Sequence, residues 1–362
     1  MPDRAIISCY PNDIRNFQIM HRNSTTWDRR LRAGLSWIAP ATVILLTACA
    51  KPYVHPAAPH QTLPALTVSY AQMDDGYRLP LRRWHAPGEV RAIVLALHGM
   101  NDYSNAFDKL GQYLAERGIS VIAYDQRGFG SAEGRGLWHG SERLATDLIT
   151  VARLLREHYG DTPLYLLGES MGGAVAISAL ASNTPSLDGA VLLAPAVWAR
   201  DTMPYYQRAL LWFAAHTIPS KKLTGKNLDI TPSDNKEMLV ALHRDDLVIK
   251  STRVDVLYGI SNLMDEAQAQ SRSLSGRVLL LYGKHDEIIP PDPTCKLFDS
   301  LSTARNTQLT ALIYDNGYHM LTRDLQANVV LEDILAWIER NTSHSETNSR
   351  MEQYCIAKTG IE

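Results

Sequence analysis

The sequence predicts an α/β fold: a mostly parallel, eight-stranded sheet with helices on both faces and a helical insertion. Three observations carry that prediction. From about residue 65, short and almost wholly apolar runs alternate with amphipathic stretches, as expected when strands are buried on both faces and helices on one. The helical stretches repeat their apolar residues at spacings of three and four. The alternation breaks once, between about 197 and 275, where the pattern is helical with no clear strand.

The strand candidates are 66–70, 79–84, 92–97, 120–125, 164–167, 190–194, 278–282 and 308–314. Between them, 141–158 places Leu144, Leu148, Val151, Ala152 and Leu155 on one helical face, and 171–181 is small and apolar, suited to a helix buried against a sheet. The stretch 325–340 repeats the pattern with Val329, Val330, Ile334 and Trp337 and closes a domain spanning 65–341. The tail 342–362 is polar and is expected to be disordered. The stretch 197–275 falls between the sixth and seventh strand candidates and reads as a lid over the carboxyl ends of the strands, where open α/β sheets bind ligands. Its first half holds Met203, Tyr205, Tyr206, Leu210, Leu211, Trp212 and Phe213, an apolar density suited either to an acyl chain or to packing the lid on the body.

A chain of 362 residues, 45% hydrophobic and 20% charged, can form one large α/β domain with an insertion and needs neither disulfides nor a metal for a core. The balance of 36 Lys+Arg against 38 Asp+Glu leaves a net charge of −2, so there is no basic field for nucleic acid. The charged content excludes a polytopic membrane protein, and the apolar content excludes a disordered chain.

Residues 1–48 differ from the rest. Arg29, Arg30 and Arg32 precede an apolar stretch, 35–48, that is shorter than the roughly 20 residues a membrane-spanning helix needs and matches a secretory leader. It ends in Leu46-Thr47-Ala48-Cys49, similar to the lipobox of bacterial lipoproteins. That resemblance implies a lipidated Cys49, a membrane partner reached through this anchor and a place in the bacterial cell envelope, with Ala50 leaning towards the outer membrane. The basic region starts unusually late for a leader, so Met20 is an alternative start and 1–19 a mis-called extension. Without 1–48 the chain carries 30 basic and 35 acidic residues, so the leader takes positive charge with it. Residues 49–64, rich in Pro and Ala, read as a tether. Cys9 leaves with the leader; Cys295 and Cys355 then stand in an oxidising compartment, and spacing alone does not say whether they pair.

Chemistry concentrates in Gly168-Glu169-Ser170-Met171-Gly172-Gly173, a G-x-S-x-G pattern between a strand and a helix. Gly168 and Gly172 flank a turn sharp enough that a side chain there would strike backbone, and the turn lifts the Ser170 hydroxyl above the sheet. The N–H of Met171 then opens a helix and can face an oxyanion. A serine hydroxyl needs a base, and the base an orienting acid. Asp286 follows the next-to-last strand candidate and His319 the last, in the order Ser, acid, His. Asp125, Glu287 and His285 are weaker rivals. His216 and His243 lie in the lid, while His21, His55, His60 and His344 lie in leader, tether or tail. A second oxyanion donor is expected from the Met100 N–H, in the loop His98-Gly99-Met100-Asn101-Asp102, with His98 structural. The glycines of 124–130 do not fit G-x-G-x-x-G, and no metal-binding or P-loop motif occurs, so no cofactor and no metal site are expected.

His98-Gly99, Asp125 through Gly130, Gly168 through Gly173, Gly283 through Asp286 and Gly317 through His319 together resemble the α/β-hydrolase superfamily. More narrowly they are similar to its monoacylglycerol lipase and lysophospholipase branch, grouped with serine aminopeptidases, over about 65–340. The resemblance implies Ser170 as nucleophile, Asp286 as acid, His319 as base and a helical lid over an acyl pocket. Met100 and Asn101 depart from it, since small or glycine residues are usual there. The expected activity is hydrolysis of acyl-lipid esters, monoacylglycerol or lysophospholipid, or of a small ester. A peptidase, an amidase or an acyltransferase on the same fold, and a non-catalytic lipid-binding lipoprotein, are the alternatives.

Overall fold

A computed structural model describes residues 51–59, 61–182, 187–225, 228–340 and 345–359, so the leader and Cys49 lie outside the described residues. Ala65–Leu66 (β1) pairs antiparallel with Tyr70–Gln72 (β2), which pairs antiparallel with Arg78–Trp84 (β3). Then follow Ala92–Leu97 (β4), Ile119–Tyr124 (β5), Leu164–Glu169 (β6) and Gly189–Leu193 (β7), each buried at every residue. Lys222–Leu223 (β8) and Thr252–Arg253 (β9) form a separate antiparallel pair. Gly276–Gly283 (β10) and Thr307–Tyr314 (β11) complete the main sheet, in the order β1-β2-β3-β5-β4-β6-β7-β10-β11 and parallel from β5 to β11.

The sheet thus has nine strands where eight were expected. The extra one arises because 66–70 is not one strand: the Thr67 N–H donates to the Tyr70 carbonyl at 2.9 Å and the Tyr70 N–H to Thr67 Oγ1 at 3.0 Å, closing a turn that folds β2 back on β1.

The helices are Asp108–Ala115 (α1), Ser141–Tyr159 (α2), Met171–Ala181 (α3), Tyr205–Thr217 (α4), Lys236–Arg244 (α5), Val254–Gln270 (α6), Pro291–Ser302 (α7), Ala327–Arg340 (α8) and Ser345–Thr359 (α9). Alternation along the strands feeds two cores. Ile93, Leu95 and Leu97 of β4 join α2, α3, α6 and α7 on one face, while Ala92, Val94 and Ala96 join α1 and α8 on the other. Each fully buried Leu or Ile among them contributes about 2 kcal/mol.

Three expectations are corrected. Within 197–275, expected as one lid, α6 buries Val256, Ile260, Leu263 and Ala267 in the main core. The stretch also contains the short β8–β9 pair, where no clear strand was expected. Within the tail expected to be disordered, 345–359 forms α9: Met351 and Cys355 are buried, Cys295 and Cys355 are disulfide-bonded, and Asn348 covers backbone of β11. Asn348 accepts from the Ala311 N–H at 2.6 Å and donates to the Leu309 carbonyl at 2.9 Å, satisfying polar groups an edge strand would otherwise expose. Part of the tether is also tied down, since the His55 N–H donates to the Trp138 carbonyl at 2.7 Å and Thr62 Oγ1 donates to the Met73 carbonyl at 2.9 Å.

Candidate active site

Ser170 sits where β6 turns into α3, with φ 52° and ψ −117°, a left-handed backbone that costs a non-glycine residue about 1–3 kcal/mol. The surrounding backbone holds it there: the Ser170 N–H donates to the Leu193 carbonyl and the Ala196 N–H to the Ser170 carbonyl, both at 2.9 Å. A Cβ on Gly168 would lie 2.5 Å from the Gly172 carbonyl oxygen, and one on Gly172 would lie 2.2 Å from that of Leu97. The turn closes only because both are glycine.

The loop after β4 comes directly against this turn, since a Cβ on Gly99 would lie 3.2 Å from Ser170 Cβ. His98 fixes the loop from below. Its Nε2 accepts the Gln126 N–H at 2.9 Å, which puts the ring proton on Nδ1, 2.8 Å from the Gly99 carbonyl. Burial pushes the His98 pKa down, so the ring is a neutral strut. Asn101 takes φ 68°, a conformation Asn tolerates, and Met100 packs its side chain on the main core. Met171 is the first residue of α3, so its N–H has no intrahelical acceptor. Among the described residues, neither the Met100 nor the Met171 amide donates a hydrogen bond.

Asp286 and His319, on the loops after β10 and β11, are brought together, with His319 Nδ1 2.8 Å from Asp286 Oδ2 and both residues buried. The other oxygen, Oδ1, accepts the Ile288 and Ile289 N–H groups, each at 2.9 Å, so the carboxylate is held at both oxygens. Burial pulls the His319 pKa down, but the charge and hydrogen bond of Asp286, helped by Glu169 and opposed by Arg323, leave it above the ordinary imidazole value.

The rival groups are occupied elsewhere. Asp125 is buried and accepts from Ser104 and Ser131; burial pushes its pKa up, but those hydrogen bonds outweigh it and hold the carboxyl below its usual range. His285 stacks on Tyr318 at a centroid distance of 5.2 Å, and Glu287 accepts the Thr231 N–H at 2.6 Å.

Residues that sequence reasoning did not single out complete the site. Arg323 donates through Nη1 to Asp102 Oδ2 at 2.7 Å and through Nη2 to both oxygens of Glu169, at 3.2 and 3.1 Å. The lid stretch 231–235 is laced to the His319 loop: Ser233 Oγ donates to Asp324 Oδ1 at 2.6 Å, Asn235 Nδ2 to the Arg323 carbonyl at 2.9 Å, and the Met320 N–H to the Pro232 carbonyl at 3.1 Å. No local pattern announces such pairings. The nearest signal is two charged residues, Arg323 and Asp324, four and five positions past His319. Among the described residues no cluster of His, Cys, Asp or Glu fits a metal ion.

A mostly parallel sheet, a serine strained at the strand-to-helix turn and a buried Asp–His pair beyond the last two strands define an α/β-hydrolase. The sequence profile of the serine aminopeptidase S33 family matches residues 88–326, and the chain belongs to that family of hydrolases. It is 28% identical over 289 residues to the monoglyceride lipase of Rattus norvegicus, covering 77% of this chain and 91% of that protein. The fold is shared with a monoacylglycerol lipase of Paleococcus ferrophilus, at a TM-score of 0.60 and 23% identity over 72% of this chain and 98% of that one. It is also shared with a soluble variant of the Saccharomyces cerevisiae monoglyceride lipase bound to a substrate analogue, at a TM-score of 0.65 and 19% identity over 81% and 99% of the two chains.

Proposed function

We propose that this protein is a serine ester hydrolase cleaving acyl esters of monoacylglycerol or lysophospholipid type through an acyl-enzyme on Ser170. The observation that carries the reading is the Asp286–His319 pair at 2.8 Å on the same sheet end as the strained Ser170. In this reading His319 takes the Ser170 hydroxyl proton while Oγ attacks the ester carbonyl, and the oxyanion is met by the N–H groups of Met100 and Met171. Collapse expels the alcohol, which takes the proton from His319. Water, activated by the same ring, then cleaves the acyl–Ser170 bond and frees the fatty acid.

The lid supports a lipid substrate. Along α4, Tyr205 and Leu210 are 80% and 65% exposed, and Tyr206, Trp212 and Phe213 are exposed beside them, an apolar face suited to a lipid surface. The monoglyceride lipase relatives support the acylglycerol class. The reading extends to a bacterial envelope protein anchored by lipid on Cys49. The Cys295–Cys355 disulfide supports an oxidising compartment.

The test is turnover by the purified protein of monoacylglycerols, lysophospholipids, short p-nitrophenyl esters and amino-acid amides, with Ser170→Ala alongside. Long-chain acyl ester hydrolysis lost in the variant is expected; turnover of amides alone would make the protein a peptidase. For the anchor, fatty-acid labelling in cells is expected in the wild type and not in Cys49→Ser, and equal labelling of the two would refute it.

A further inference from the structure

Two carboxylates other than Asp286 are buried around the Ser170 turn. Glu169, the residue before the serine, is 1% exposed, and Asp102, in the loop after β4, is 6% exposed. Neither is needed for the chemistry proposed above, and a buried carboxylate is costly unless paired. Both are paired to one guanidinium. Arg323 Nη1 lies 2.7 Å from Asp102, and Nη2 lies 3.2 and 3.1 Å from the two Glu169 oxygens. Arg323 belongs to the turn that carries His319, where its N–H donates to the Met320 carbonyl at 2.7 Å.

One residue therefore joins three loops. These are the elbow through Glu169, the proposed oxyanion loop through Asp102, and the His319 loop through its own backbone. A planar fork with several donors can bridge two carboxylates in fixed directions, which a lysine ammonium cannot.

We propose that Arg323 is a positioning residue for the reaction: it pins these three loops in register and cancels the negative charge of Glu169 beside His319. The inference rests on the serine hydrolase reading and adds to it a residue outside the triad. The charges around the ring come from every neighbouring element. Asp286 faces it from the loop after β10, Glu169 from the elbow and Arg323 from its own loop. Asp102 is reached through Arg323, Asp324 is bonded to the Tyr318 N–H and Ser233, and Asp234 of the lid accepts the Leu325 N–H. His98, kept neutral by burial, adds no charge. Of these, only Arg323 opposes the protonation of His319. Its removal leaves Glu169 and Asp102 uncompensated, which stabilises the imidazolium and also works against an oxyanion forming nearby.

The experiment is the pH profile of kcat/KM on a soluble short-chain p-nitrophenyl ester for the wild type, Arg323→Met, Arg323→Lys, Glu169→Gln and the double variant Glu169→Gln/Arg323→Met. Arg323→Met is expected to move the acid limb up by about one pH unit, with kcat falling and KM little changed. Adding Glu169→Gln should return the limb towards its wild-type position. Arg323→Lys should keep the limb in place while kcat drops several-fold, because the charge remains and the bridge does not. Glu169→Gln alone should move the limb down, a readout that holds even if Arg323→Met does not fold. A limb that stays put in folded Arg323→Met, or in Glu169→Gln, overturns the proposal. The titration of the His319 ring proton by NMR reads the same shifts without turnover. A wild type silent on every ester would thus count against the enzymatic reading, while the NMR shifts still decide the role of Arg323.

Discussion

Asn101 and Thr252 are joined side chain to side chain across 151 residues of sequence, Nδ2 donating to Oγ1 at 2.7 Å. The Ile249 N–H adds a second tie, to the Asn101 carbonyl at 2.9 Å. The loop proposed to offer the Met100 amide to an oxyanion is therefore fastened to stretch 249–252, while stretch 231–235 is fastened to the His319 loop. The stretch expected to be a lid is rooted on the elements that would carry the chemistry, while α4 and α5 are left largely exposed.

The first prediction follows from that tie. Asn101→Ala loses both the side-chain bond and a residue that tolerates φ 68°, and should destabilise the protein by about 1–2 kcal/mol. Asn101→Gly removes the bond but not the backbone freedom. It should recover most of the stability while kcat on a soluble ester stays reduced. Urea melts and steady-state rates on the two variants separate the effects.

The pH dependence has a defined sign. Because Asp286 and Glu169 outweigh burial and Arg323, His319 holds its proton more tightly than a free imidazole, and it must lose that proton to act as a base. The acid limb of kcat/KM should lie above about 6.5, the ordinary histidine value. Asp286→Asn should lower kcat by about 10⁴-fold and move the limb down. Stability runs the other way. The raised pKa stabilises the folded state fully below the unfolded-state value, and the contribution is lost as pH rises through the folded-state value. Urea melts of Asp286→Asn and wild type across that window should converge at its upper end.

The α9 helix gives a third prediction. The disulfide closes a loop between residues 60 apart in sequence, and in the chain-entropy account its loss costs about 4 kcal/mol. Guanidinium melts of the Cys295→Ser/Cys355→Ser variant should show that loss, with the esterase activity of the folded fraction retained. A loss below about 1 kcal/mol would mean that the Asn348 contacts hold the helix without the covalent link.

A fourth concerns Arg127, almost fully buried and paired with Asp75 at 2.8 Å and with Asp147 at 2.5 and 3.1 Å. Its guanidinium also lies 4.0 Å over the Tyr77 ring. Arg127→Met would leave both buried carboxylates to Arg143 alone, which lies 3.0 Å from Asp75 and 3.2 Å from Asp147, and should cost about 3 kcal/mol in a urea melt. A cost under 1 kcal/mol would show that Arg143 suffices to compensate the two carboxylates.

What could be read from the sequence, and what could not, follows from the range of the interactions. The strand over 164–167, which the structure extends to Glu169, and the serine turn are local patterns, and Asp286 and His319 each stand just past an apolar strand, so sequence alone puts them at one end of the sheet. The run 66–70 reads as a single strand because the Thr67 hydroxyl that closes its turn is invisible to hydropathy. The helix α9 reads as a disordered tail because, among its described residues, the buried stripe is as narrow as Met351 and Cys355, and one of its attachments is a disulfide partner 60 residues away. Arg323 meets Glu169 across 154 residues, a pairing that no spacing rule encodes.

The claim on which the rest depends is that Ser170 is the nucleophile. The most direct measurement is to treat the folded protein with a fluorophosphonate, map the adduct by peptide mass spectrometry and follow esterase activity in the same samples. A single adduct per chain on Ser170, formed in step with the loss of activity and absent from His319→Ala, is the expected result. Activity that survives full modification of Ser170, or an adduct on another serine that tracks the loss, would contradict it.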